Sequence, residues 1–174
     1  DERRDVLGAI DYLLGLEAGP SRVGVLGMSM GAGTGALAAA EAPAVQALVL
    51  DSSYASLTDL IPYEIARKTV VPEWLAPVFV PGAKLVADLV LGVDVGALVP
   101  RRAVAELGYP ILIIHGDADT RIPVEHAVRL HMASYAESDL WLADGVDHVD
   151  AFSAYPDEYV EKVVSYLNAR LRPQ

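Results

Sequence analysis

Residues 22–40 read Arg-Val-Gly-Val-Leu-Gly-Met-Ser-Met-Gly-Ala-Gly-Thr-Gly-Ala-Leu-Ala-Ala-Ala. The opening, Arg22 to Leu26, is apolar and follows the breaker Gly19-Pro20, the pattern of a buried parallel strand. From Ser29 to about Glu41 small residues dominate and predict a helix packed closely on that strand. Between them stands Gly27-Met28-Ser29-Met30-Gly31, a serine with a glycine two residues away on each side. The glycines let strand and helix pass without side-chain collisions. A sharp turn there holds the hydroxyl in the open, in a backbone conformation that costs about 1–3 kcal/mol. The helix N-terminus below it supplies free N–H groups and the positive end of a dipole. Ser29 is therefore a candidate nucleophile, and the Met30 N–H a candidate donor to an oxyanion.

Working outward, the chain alternates strand and helix. Val6, Ile10, Leu13 and Leu14 recur at helical spacing and predict a helix over 2–17. Strands are expected at 22–28, at Ala47-Leu48-Val49-Leu50, at Ile111-Leu112-Ile113-Ile114 and at Leu140-Trp141-Leu142. Pro123 introduces a helix from Val124 to Tyr135, and Val160, Val163, Val164, Leu167 and Leu171 mark a closing one. This alternation predicts an α/β domain whose parallel sheet, about four strands wide, is flanked by helices. Residues 56–108 break the pattern, with Pro62, Pro72, Pro77, Pro81 and Pro100 among apolar and aromatic residues. A connection that long has a use, and a lid or cap insertion is expected. Tyr63, Trp74, Leu75, Val78 and Phe79 are candidates to line a pocket there, or to pack the insertion onto the body.

Composition bounds the rest. The 174 residues suit a single domain, and a 53% apolar fraction is ample for a core. With no cysteine there is no disulfide, thiolate metal site or cysteine nucleophile. Thirteen basic against 24 acidic residues leave a net charge of −11, which disfavours nucleic acid and anionic membranes as partners. No apolar run reaches the ~18 residues of a membrane span. The start, Asp1-Glu2-Arg3-Arg4-Asp5, does not read as a signal peptide, so a cytoplasmic setting is favoured. It runs directly into a helical pattern without an initiator methionine, so upstream sequence is expected to be missing.

A serine needs a base within hydrogen-bond reach and a third group to orient that base. Two strand ends offer them: His115-Gly116-Asp117-Ala118-Asp119-Thr120-Arg121-Ile122-Pro123, and Asp147-His148-Val149-Asp150-Ala151-Phe152. The order Ser29, Asp119, His148, with H-G-x-x-D-x-x-x-P followed by H-x-x-A-F, resembles the α/β-hydrolase family, most closely its esterase, acyltransferase and prolyl-oligopeptidase-like members. The resemblance implies Ser29 as nucleophile, His148 as base and Asp119 as its acid, acting on a small acyl substrate with no metal or organic cofactor. Asp117 and Asp51 are the alternative acids, expected instead to make turn bonds and to cap. His115 reads as a structural histidine, and His126 and His131, five apart on one helix, as solvent-facing. The chain departs from the family in carrying Asp147 where glycine commonly precedes the histidine. Its carboxylate could compete for the imidazole, and is expected to point away.

The resemblance further implies strands ahead of residue 22, with a loop giving the second oxyanion donor. Without them the chain is expected to be weakly active, since removing one donor typically costs ~10²–10³ in turnover. The strand at 22–28 would form an open sheet edge that invites self-association. Two other classes compete. A dinucleotide-binding module would use Gly31, Gly33 and Ala36 with Asp51 on the ribose, although Met28-Ser29-Met30 spoils the register. A non-catalytic binding domain on the same fold would be expected to lack part of the triad.

Overall fold

The computed structural model describes residues 2–92, 94–135 and 137–172. Asp1 of the charged start and Val93 of the 56–108 stretch, like Ala136, Pro173 and Gln174, lie outside the described residues. Helix α1 (Glu2–Leu14) leads into strand β1 (Val23–Met28), helix α2 (Met30–Glu41) and strand β2 (Val45–Asp51). Three helices follow, α3 (Leu57–Lys68), α4 (Val80–Leu91) and α5 (Pro100–Glu106). The chain closes with strand β3 (Leu112–Gly116), helix α6 (Glu125–Ala133), strand β4 (Asp139–Ala143), the short α7 (Ala151–Ala154) and α8 (Pro156–Leu171). The four strands pair in parallel in the order β1-β2-β3-β4, as the alternation predicts.

The central strands β2 and β3 are buried on both faces, which is why they read as unbroken apolar runs. Strand alternation sorts their side chains into two cores. Leu48, Leu50, Ile111 and Ile113 face α1, α2, α5 and α6, meeting Ile10, Ala36, Val104 and Leu130. Val49, Leu112 and Ile114 face α7 and α8, meeting Ala151, Tyr159 and Val163. The small residues of α2 bring it close to the sheet. A Cβ on Gly27 would stand 2.5 Å from the Gly31 carbonyl oxygen and 2.6 Å from the Ala32 Cα. Gly31 itself has open space around it, so of the paired glycines in the turn only Gly27 is forced by close approach. Within α2 the most crowded glycine is Gly33, where a Cβ would press on the buried ring of Tyr54 at 2.5 Å.

Backbone bonds carry the sheet's register past the strand ends. Ser29 N–H donates to Asp51 O at 2.8 Å, Ser52 N–H to Ile114 O at 2.9 Å, and Asp117 N–H to Ala143 O at 3.1 Å. The loops that leave the sheet here therefore start from one line. The 56–108 stretch holds α3, α4, α5 and two 3-10 turns, at Ala76–Phe79 and Val95–Ala97. Its ends are tied together, Leu57 N–H to Leu98 O and Arg101 N–H to Ala55 O, both at 3.0 Å. Beyond that tie α5 returns to the body and buries Ala103 and Val104. The part outside the tie exposes Trp74, Val78, Leu85, Val86, Leu89 and Val90. β1 forms one edge of the sheet, with Leu26 and Met28 partly open. Among the described residues no helix is long and apolar enough to cross a membrane.

Candidate active site

Ser29 occupies the turn between β1 and α2 with φ 53° and ψ −122°, a conformation that L-residues rarely adopt. The crossing at Gly27 leaves the chain no gentler route into the helix. Met30 opens α2 directly after Ser29, so its N–H precedes the helical bond ladder. The other two residues arrive from strand ends. Asp119 follows β3, where its Oδ1 accepts the N–H groups of Arg121 and Ile122, both at 2.8 Å. His148 follows β4 on a loop that returns toward β2.

The three side chains form one hydrogen-bonded line. His148 Nδ1 lies 2.7 Å from Asp119 Oδ2, and His148 Nε2 lies 2.7 Å from Ser29 Oγ. Because a carboxylate only accepts, the proton between His148 and Asp119 belongs to Nδ1; Nε2 is then the lone-pair nitrogen that accepts from the serine hydroxyl. Asp119 is 8% exposed, so its charge stays strong at the imidazole.

Around this line the loops are fastened to one another. Asp147 points away from the imidazole, as expected. Its Oδ1 accepts the Thr120 N–H at 2.8 Å, the Thr120 hydroxyl at 3.0 Å and the His148 N–H at 2.8 Å. The Thr120 and then the His148 backbone bonds hold its carboxyl below the usual range. On the other side, Ser52 Oγ accepts the Val149 N–H at 3.1 Å while donating to Asp51 Oδ1 at 3.0 Å. Ser29, Ser52 and Val149 are the non-glycine residues with positive φ among those described, and all three meet here. Sequence reasoning missed Ser52 and Val149, since a left-handed serine or valine leaves no pattern to read.

The remaining candidates separate. Asp51 is fully buried, accepting from Ser52 and from the Tyr159 hydroxyl at 3.0 Å, and burial pushes its carboxyl up. It neither caps a helix nor opens toward a ribose. Asp117 accepts the Gly145 N–H at 2.7 Å, a loop bond as expected. His115 is wholly buried, its Nε2 donating to Ile122 O at 2.8 Å. His126 is not solvent-facing: it is 5% exposed and its Nδ1 accepts the Ala55 N–H at 3.1 Å. It shares the inward face of α6 with Leu130, four residues on, and that spacing was the available signal. His131 is half-buried. In the insertion, the Tyr63 hydroxyl donates to Thr120 O at 3.0 Å and so touches the acid loop. Leu75 is half-buried, whereas Trp74 and Phe79 are 79% and 47% exposed. A groove of about 770 Å³ lies instead between β4 and α8, lined by Trp141 and Tyr166 and by none of the three site residues. No group of three or more metal-binding side chains occurs among the described residues.

No family model matches the chain. It is similar to the uncharacterized protein YfhR of Salmonella typhi, 28% identical over 96% of this chain and 54% of that protein. YfhR of Escherichia coli K12 is 38% identical over 37% of this chain and 23% of its own length. The chain thus spans about half of the curated relative it matches over most of its length. Among solved structures, an esterase of Pyrococcus furiosus superposes with TM-score 0.72 at 23% identity, covering 98% of this chain and 62% of the esterase. An acylaminoacyl peptidase of Pyrococcus horikoshii gives TM-score 0.68 at 18% identity, covering 99% of this chain and 28% of the peptidase. The meta-cleavage product hydrolase of Pseudomonas fluorescens gives 0.64 at 15%, covering 96% and 72%. Four parallel strands in this order, with these neighbours, identify the chain as having the α/β-hydrolase fold.

Proposed function

We propose that the chain carries the active site of a serine hydrolase that cleaves carboxylic ester or thioester bonds through an acyl-enzyme. The observation that supports it is the unbroken line Ser29 Oγ–His148 Nε2–Asp119, with 2.7 Å at each link. His148 Nε2 takes the Ser29 proton as the hydroxyl oxygen attacks the carbonyl carbon, and Asp119 steadies the imidazolium. The carbonyl oxygen becomes an oxyanion beside the Met30 N–H. The imidazolium returns its proton to the leaving alcohol or thiol, and water then releases the acyl group by the same steps. Residues 57–98, with Tyr63 against the acid loop, are assigned as a lid over the acyl group.

The resemblance of the fold to a peptidase as well as to esterases keeps aminoacyl substrates as the second reading. A panel of nitrophenyl esters of graded length against an aminoacyl-nitroanilide separates the two. The serine-hydrolase reading itself is tested with a fluorophosphonate probe. Stoichiometric labelling of the chain that disappears in Ser29→Ala is expected; no labelling, or labelling that survives the substitution, refutes it.

A further inference from the structure

The three site residues come from separate strand ends, so something must set the distance between the loop carrying Asp119 and the loop carrying His148. β3 and β4 pair as far as Gly116 and Ala143, and three bonds follow: Asp117 N–H to Ala143 O and Ala118 N–H to Val146 O, both at 3.1 Å, and Gly145 N–H to Asp117 Oδ1 at 2.7 Å. Asp119 and His148 lie further out, past the last of these. There the two loops are joined through one side chain. Asp147 sits immediately before His148, and its carboxylate reaches across to Thr120, immediately after Asp119.

We propose that Asp147 is a positioning residue, whose carboxylate clasps Thr120 to the His148 backbone and thereby fixes the Asp119–His148 hydrogen bond. The inference rests on the serine-hydrolase reading for its consequence in catalysis, but the clasp is visible independently of it. Four contacts make it up: Asp147 Oδ1 to Thr120 N at 2.8 Å, to Thr120 Oγ1 at 3.0 Å and to His148 N at 2.8 Å, and Oδ2 to Thr120 Oγ1 at 3.2 Å. Of the residues it joins, Thr120 stands one position from Asp119 and His148 is itself a member of the line. A shift at either therefore passes directly to the 2.7 Å link between His148 Nδ1 and Asp119 Oδ2. Bonds to a carboxylate are also shorter and stronger than those between neutral groups. Asp147 is exposed and touches neither Ser29 nor the imidazole nitrogens, so it has no part in the chemistry itself.

The position also has an alternative that shows what the carboxylate adds. A glycine there would keep the backbone N–H groups of Thr120 and His148 but leave them to water, and beyond the Ala118 N–H to Val146 O bond the two loops would be joined through the Asp119–His148 link itself. On the far side of His148, Ser52 holds the Val149 N–H at 3.1 Å from β2. Between them the two bonds restrain the backbone before and after the imidazole, and Asp147 supplies the one directed at the acid.

The test uses the whole chain with Asp147→Ala, Asp147→Asn and Thr120→Val. Two readouts are taken: the second-order rate of fluorophosphonate labelling at Ser29, and the low-field proton resonance of His148 Nδ1. Thermal melts check that each variant is folded. Asp147→Ala is expected to slow labelling about tenfold, since small misplacements of catalytic groups are costly in rate, and to broaden the Nδ1 resonance. Asp147→Asn, whose amide oxygen can still accept both backbone N–H groups, is expected to recover most of both signals, and Thr120→Val to fall between. A residue that served stability alone would lower the melt while leaving the labelling rate and the resonance of the folded protein unchanged. That result, or a labelling rate for Asp147→Ala within about twofold of the parent, overturns the proposal. If the parent and Ser29→Ala are equally unlabelled, it is the nucleophile assignment that fails. The Nδ1 resonance then decides the clasp: lost in Asp147→Ala if the clasp is real, retained if it is not.

Discussion

Lowering the pH from 7 to 4 should cost this protein on the order of 3 kcal/mol through one side chain, His126. The imidazole is 5% exposed, and its Nδ1 accepts the Ala55 N–H at 3.1 Å, so the neutral ring carries its proton on Nε2. An imidazolium has no lone pair for Ala55 and would be charged in an apolar setting. Burial first, then the nearby Arg129 guanidinium, push its pKa from 6.5 to about 4, against the opposing pull of Asp59 and Glu125. The unfolded chain takes up this proton near 6.5 and the folded one only near 4. Within that window the unfolded state binds more protons, and stability falls as the pH falls. His126 thus contributes its full share above about 6.5 and has lost nearly all of it at pH 4. At about 1.4 kcal/mol per pH unit the total approaches 3 kcal/mol, a large part of the ~5–15 kcal/mol of a typical domain. Carboxylates titrate in the same range, so the quantity to measure is the difference between the parent and His126→Asn, whose Oδ1 can accept the Ala55 N–H without titrating. Urea unfolding followed by tryptophan fluorescence at several pH values between 7 and 4 supplies it. The parent's advantage should shrink by about 3 kcal/mol across the window; a gap constant to within about 0.5 kcal/mol would refute the reasoning.

Three further outcomes are expected. Gly27→Ala should lose about 1–3 kcal/mol, because its Cβ meets backbone that cannot yield, whereas Gly31→Ala, with open space around it, should be neutral or slightly stabilising in the same urea assay. Asp119→Asn should leave the fold intact and lower the rate of Ser29 labelling by about 10³–10⁴, by favouring the wrong imidazole tautomer; a loss under tenfold would count against Asp119 as the acid. Tyr159→Phe should cost about 1–3 kcal/mol by depriving the buried Asp51 carboxyl of a donor, yet change labelling little, and a large labelling defect would show that Asp51 acts on the site.

The parts legible in the sequence are those that repeat or that sit at fixed offsets. Burial on both faces writes itself as apolar runs, so β2 and β3 could be read directly and the alternation with helices followed. The order of Ser29, Asp119 and His148 could be read because each stands just past a strand end. What escaped is set by contacts between distant residues. Asp147 and Thr120 are 27 residues apart, and nothing in either loop announces the other. Ser52 and Val149 are 97 apart and adopt backbone angles their types disfavour. His126 escapes for a different reason: its spacing to His131 carries no sign of burial, and only its spacing to Leu130 marks the buried face of α6. Gly31 shows the converse error, since a symmetric motif suggested two crowded glycines where the crossing of β1 and α2 requires one.

The paired bonds that close the base of the 57–98 segment give it the character of an exchangeable cassette. Leu57 to Leu98 and Arg101 to Ala55 form a short stem rooted beside β2, so the span of chain between them can change length without moving the strand ends. Lengthening or shortening such a loop is cheap, since closure entropy grows only with the logarithm of its length. It reaches the loop carrying Asp119 through the Tyr63 hydroxyl, which donates to Thr120 O. Under the proposed lid role, a body of this kind would keep one set of reacting groups while trading the surface above them, and a graft cut at this stem would be the way to retarget it.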